Sequence, residues 1–161
     1  METMITSAQI DAYVAGGAKL IAAFDGLTSA DLQAIPVPGT WSLQQIATHI
    51  YDSDLIGTDR MKRIAAMQNP LICAYDESAF NALPGMEAID ALAACKAVAN
   101  NRQFMAEHLR RFSPEMFART GIHTEVGQVS LADQVIKYIH HLEHHLKFAL
   151  QKRALLGKPL A

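Results

Sequence analysis

Four of the seven histidines of this chain fall in one short stretch, Ile139-His140-His141-Leu142-Glu143-His144-His145. An imidazole presents an uncharged nitrogen near neutral pH and is the commonest protein ligand for transition metals, so this density points first to metal chemistry. An expression tag is excluded, because Leu146, Phe148, Ala149 and Leu150 carry the pattern onward. Two pairs share i,i+4 spacing, His140 with His144 and His141 with His145, and either would set two rings on one helical face.

Helix phase separates the pairs. At about 100° per residue, the apolar stripe Leu131, Val135, Ile139, Leu142, Leu146 and Ala149 leaves His140 and His144 roughly 155° from its centre, facing water with Asp133 and Lys137. His141 and His145 lie about 105° from the stripe, beside Tyr138, where side chains flank the core and reach a neighbouring helix. His49 holds the equivalent flank of an earlier helix, about 90° from the stripe of Ile46, Ile50 and Gly57. Taken singly, such histidines are more often rim or surface residues. Together His49, His141 and His145 make a candidate three-nitrogen site suited to a divalent transition metal, whether zinc, nickel, iron or copper, with zinc and nickel foremost and coordination positions left open.

Other readings of the same residues are weaker. The helical H-E-x-x-H motif of zinc proteases needs a glutamate directly after the first histidine, and Leu142 stands there. Glu143 projects roughly 200° around the helix from His141 and cannot serve the same metal. Asp52, three residues after His49, is the nearest candidate for a fourth or supporting ligand, although a solvated helical aspartate is the plainer account. His108 and His123 lack any such spacing and are expected on the surface or in loops, with the mouth of a pocket as the lesser alternative for His123. No general base can be named.

These side chains need helices to hold them. A first helix is expected from Ser7 to about Gly26, then a turn around Ser29 to Ala34 and a crossing through Pro36, Pro38 and Gly39. Ser42 with Gln45 three residues later reads as a capping box that opens a second helix running to about Met67. After Asn69 and Pro70 a loop follows, with one helical turn near Asp76 to Ala82 and no convincing strand. Ile89, Leu92, Ala93, Val98, Phe104, Met105 and Leu109 predict a third helix from Met86 to about Phe112. Gly121 to Val129 is a loop able to hold a short extended piece, and a fourth helix covers Ser130 to about Arg153. Four apolar stripes that must face one another make an all-α four-helix bundle the expected fold, without deciding which helices are neighbours.

Composition sets the outer bounds. With 161 residues, half of them hydrophobic and 19% charged, the chain reads as one folding domain over 1–161. Its 14 Lys+Arg against 16 Asp+Glu, without a basic run, argue against nucleic acid as a partner. No apolar stretch approaches a membrane span, and Met1 to Ser7 do not open a signal peptide. Cys73 and Cys95, without metal or disulfide spacing, read as small buried hydrophobes in a reducing, cytoplasmic setting.

Pro38-Gly39-Thr40-Trp41-Ser42-Leu43-Gln44-Gln45-Ile46-Ala47-Thr48-His49-Ile50-Tyr51-Asp52, followed near the far end by His141-Leu142-Glu143-His144-His145, resembles the DinB/YfiT-like superfamily over most of the chain. The shared pattern is a Trp-Ser opening to the second helix, a histidine further along it, and H-x-x-H-H on the last helix. The resemblance implies His49, His141 and His145 as metal ligands, with His144 the member of the run that does not ligate. It also implies a four-helix bundle of down-up-down-up type with a long second crossover, frequently a homodimer, with the metal at one end of an interhelical pocket. It implies little about the reaction, because similar folds include thiol-dependent transferases, a mycothiol-dependent isomerase and many members without an assigned reaction. Two functions are therefore expected to compete. One is a metal-dependent enzyme, a thiol transferase or hydrolase, in which a low-molecular-weight thiol or water attacks an electrophilic small-molecule substrate. The other is a non-catalytic bundle whose metal stabilises the fold or reports metal supply.

Overall fold

The computed structural model describes residues 4–160, so residues 1–3 and 161 of the expected 1–161 domain lie outside the described residues. Four long helices carry the fold: α1 (Ser7–Phe24), α3 (Leu43–Ala66), α5 (Ala91–Leu109) and α7 (Leu131–Leu155). Shorter helices α2 (Ser29–Gln33), α4 (Glu77–Asn81) and α6 (Pro114–Phe117) lie between them. Helix starts follow local chemistry. Thr6, Thr28, Ser42 and Ser130 each close a capping box, satisfying amide donors that the first turn would otherwise leave free. At the box foreseen for α3, the Gln45 amide donates to Ser42 Oγ at 3.2 Å and the Ser42 amide donates to Gln45 Oε1 at 2.9 Å.

The long helices form a four-helix bundle in which α1 and α3 each pack against both α5 and α7. Consecutive long helices α1 and α3 therefore sit across a diagonal, an order that their apolar stripes alone left undecided. None of the described helices is long and apolar enough to cross a membrane.

Several expectations are corrected. The turn at Ser29 to Ala34 is the helix α2, because Thr28 and Asp31 cap it as a box. The third long helix does not start at Met86: a 3-10 turn covers Met86–Ala88, and Asp90 caps a fresh start by accepting the Ala93 amide at 2.9 Å. Its phase also differs, with Phe104 71% exposed and Arg102 buried in its place. The segment after Pro70 holds a strand, β1 (Leu71–Ile72), parallel to β2 (Thr120–His123), which pairs antiparallel with β3 (Gly127–Ser130). A two-residue strand has no periodicity of its own and exists only through its distant partner. Cys95 is buried as expected, whereas Cys73 is exposed just past β1.

The core shared by α3 and α7 divides into two clusters. Met61, Ile64, Val135 and Ile139 belong to the cluster near the sheet, and Ile46, Ile50, Leu142 and Leu146 to the other. Between them runs a polar layer. Arg102 Nε donates to Asp54 Oδ2 at 2.7 Å, and its other nitrogens donate to the carbonyls of Tyr13 (3.1 Å) and Tyr138 (2.8 Å). Gly57 lets α7 come close here, since a Cβ at that position would stand 2.5 Å from the Tyr138 ring.

Candidate metal centre

The cap at Ser42 fixes the phase of α3 and brings His49, two turns in, to the interior with 2% exposure. The cap at Ser130 does the same for α7, leaving His141 and His145 half-buried on the flank facing α3. His140 and His144 are exposed, as the phase argument requires. The three flank residues converge through the same ring atom. His49 Nε2 lies 3.0 Å from His141 Nε2 and 3.1 Å from His145 Nε2, so the three form a group able to hold a metal ion.

Aromatic neighbours fix the rings. Trp41, the residue before the cap, sits 4.9 Å from the His49 ring and stacks at 10° on His145 with 6.3 Å between centroids. The Tyr138 ring meets His141 edge-on at 6.1 Å. Burial, reinforced by the neighbouring imidazoles, lowers His141 to about 3 and His145 to about 4. Burial lowers His49 as well, with Glu77 pulling in the opposite direction. All three rings are thus neutral at pH 7, the form in which imidazole ligates.

Glu77 is the residue that sequence reasoning missed. It sits in the first turn of α4, and one carboxylate oxygen lies 3.8 Å from His49 Nε2 while the side chain stays 55% exposed. α4 is tied to α3 by Thr48 Oγ1, which donates to the buried Asn81 Oδ1 at 3.1 Å. The only local signal was a helical turn carrying an acid, 28 residues from His49 in the sequence. Asp52, the nearest candidate for a fourth or supporting group, is not among the side chains brought together: it is half-buried, and burial raises its carboxyl. Three residues along α3 from His49, its carboxylate does not join the three imidazole nitrogens, which lie within 4.8 Å of one another.

His108 is exposed as expected, but His123 is not a surface histidine. It is 5% exposed on β2, because pairing with β1 draws the strand against the bundle. Two cavities flank the triad. One of about 380 Å³ is lined by Trp41, Ile46 and Phe148, with His145 on its wall and the buried Lys152 at its edge. The other, about 350 Å³, contains Glu77, Arg60, His123 and Lys137.

A sequence profile of the DinB superfamily matches residues 12–149. A protein of Bacillus pumilus, named as a candidate metal-dependent hydrolase, is 29% identical over 146 residues, spanning 88% of this chain and 83% of its own. One from Oceanobacillus iheyensis with the same designation is 26% identical over 108 residues, which cover 67% of this chain and only 62% of that relative. Among solved structures, YfiT from Bacillus subtilis is described as a candidate metal-dependent hydrolase with an unusual four-helix bundle topology. It superposes with a TM-score of 0.89 at 22% identity, over 96% of this chain and 91% of that one.

Proposed function

The chain belongs to the DinB superfamily, and on that footing we propose that His49, His141 and His145 hold a divalent transition metal, zinc or nickel, at the heart of a metal-dependent enzyme acting on an electrophilic small molecule. The convergence of three neutral Nε2 atoms is the observation that carries this reading. Tetrahedral ligation at about 2.0–2.1 Å per nitrogen separates ligand nitrogens by about 3.3 Å, close to the 3.0 and 3.1 Å found here, so the residues fit the ion. When bound, the metal supplies Lewis acidity and lowers the pKa of a coordinated water or small thiol toward neutrality.

The chain's own groups do the rest. The imidazoles stay unprotonated and leave at least one coordination position free. Glu77, half in solvent beside His49, is placed to accept a proton from the water or thiol delivered there. Trp41, Ile46 and Phe148 offer an apolar wall to the substrate body. The chain's cysteines are not the nucleophile in this reading: Cys95 is buried and its thiol is raised to about 12, and Cys73 lines a different cavity. The curated relatives' designation as candidate hydrolases favours water as the attacking group, with a low-molecular-weight thiol as the alternative. A homodimer in the cytoplasm, formed by one domain per chain, completes the proposal; sedimentation at micromolar concentration reads the assembly.

A second reading has its own observation. The 3.8 Å between Glu77 and His49 is short enough for a side-chain rotation to bring the carboxylate onto the metal as a fourth ligand, closing the site as in structural centres. Glu77→Gln separates the two. In the enzyme it keeps one metal per chain while turnover of an activated ester or of a thiol with a model electrophile falls by about 10²-fold or more. In the closed site it weakens metal binding, and no turnover is present to lose. A rate that survives chelation, with metal removal confirmed by elemental analysis, defeats the catalytic reading.

A further inference from the structure

The second buried arginine of the bundle meets no group of opposite charge among the described residues. Arg60, on α3, is 4% exposed; its Nη2 donates to the Cys73 carbonyl at 2.5 Å and its Nη1 to the Tyr138 hydroxyl at 3.3 Å, while its Nε has no partner. Among the described residues no carboxylate oxygen lies within 4.0 Å of it. A guanidinium cannot shed its proton, so a buried one without a counter-ion stands at a high electrostatic cost. Arg102, equally buried, shows how the fold answers that cost when it can, with Asp54 at 2.7 Å.

Arg60 lines the 350 Å³ cavity, and one more cation, Lys137, and a neutral histidine, His123, line it too. Lys137, on α7 one turn before His141, has its ammonium lowered first by partial desolvation and then by Arg60. His123 is lowered by burial, Arg60 and Lys137 in that order. Negative groups lie in the same cavity, and Glu125 and Glu77 partly offset the lowering of Lys137, but none pairs with Arg60. Asp76 accepts the Ala79 amide at 2.9 Å as the cap of α4, Glu77 turns to His49, and Glu125 reaches neither Arg60 nor Lys137 within 4.0 Å. The cavity therefore offers the Arg60 guanidinium fork with acids toward its rim, which suits one flat, singly charged carboxylate group and disfavours a phosphate group carrying two charges. It also adjoins the triad: Tyr138 takes the Arg60 hydrogen bond while its ring edge meets His141, and Glu77 borders both.

We infer that this cavity is a subsite for a carboxylate carried by the small-molecule substrate, recognised by Arg60, Lys137 and His123. The inference rests on the enzymatic reading above only for calling that molecule a substrate. Binding itself is tested without metal. Succinate is titrated by calorimetry into chelator-stripped full-length protein, with the side-chain resonances of His123 followed in parallel and inorganic phosphate as the competing probe. One saturable succinate site that shifts His123 is expected, with phosphate weaker. Lys137→Gln, at an exposed position, should weaken succinate about tenfold, and Arg60→Lys, which keeps the charge but loses the planar fork, by at least as much. Should the Arg60 variant unfold because it also ties β1 to the bundle, Lys137→Gln decides alone. The inference is overturned by absence of saturable succinate binding to the folded protein, by unchanged affinity in Lys137→Gln, by His123 signals that do not move, or by a preference for phosphate. None of these outcomes bears on metal binding, and loss of metal in a histidine variant leaves the subsite untouched.

Discussion

Two polar clusters bridge the helices of this bundle, and they differ in what they leave unsatisfied. At mid-height, Arg102 and Asp54 face each other at 2.7 Å, each 1–2% exposed, with Asn101 donating to Asp54 and the carbonyls of Tyr13 and Tyr138 taking the remaining arginine donors. One turn or so along α7 from that layer, three imidazoles point the same atom at one spot with no anion or donor supplied to all of them. The first cluster answers itself and holds α1, α3, α5 and α7 in register. On the proposed reading the second is an arrangement of ring nitrogens that an added cation would satisfy. Burial and helix bridging are common to both, so neither is a sign of function; the unmet demand is.

The comparison is broken most severely by removing a ring. His145→Ala should reduce metal from about one per chain to background while the helical circular dichroism persists, because His145 flanks the core and is not part of it; equal metal content in the variant, by elemental analysis, would refute the assignment. Asp54→Ala should do the opposite, costing about 3–5 kcal/mol in chemical denaturation by leaving Arg102 buried and unpaired, while any folded fraction keeps its metal. Leu142→Ala, next in size, should cost about 2–5 kcal/mol, since this 1% exposed side chain fills the contact against Gly16 and holds the phase of α7. An unchanged unfolding midpoint would remove the support for the ligand phase.

Acidity sharpens the contrast in the metal-free protein. His141 and His145 take up protons less readily in the folded chain than at their ordinary value of 6.5. Above that pH they are neutral in both states and do not alter stability. Below it the unfolded chain binds protons that the folded chain refuses, so stability falls as the pH drops from about 6.5 toward 4. Thermal melts of chelated protein between pH 8 and 4 should show this decline, and His141→Ala should flatten it. The smallest effect belongs to the exposed pair: His140→Ala combined with His144→Ala should leave both metal content and midpoint within error.

Much of this molecule was legible in the one-dimensional chain because local rules govern it. Ser42 with Gln45 and Ser130 with Asp133 cap the helices that bear the triad, and a cap plus a 3.6-residue repeat is enough to place His49, His141 and His145 on core flanks and His140 and His144 in water. Everything that depended on distant residues was decided by the tertiary structure. The diagonal placement of α1 and α3, the β1–β2 pairing that buries His123, the approach of Glu77 to His49, and the division between a paired Arg102 and an unpaired Arg60 all join segments separated by tens of residues. Capping and periodicity act within a turn or two of helix, whereas the partner of a buried charge is whichever group the packing of other helices happens to bring within a few ångströms.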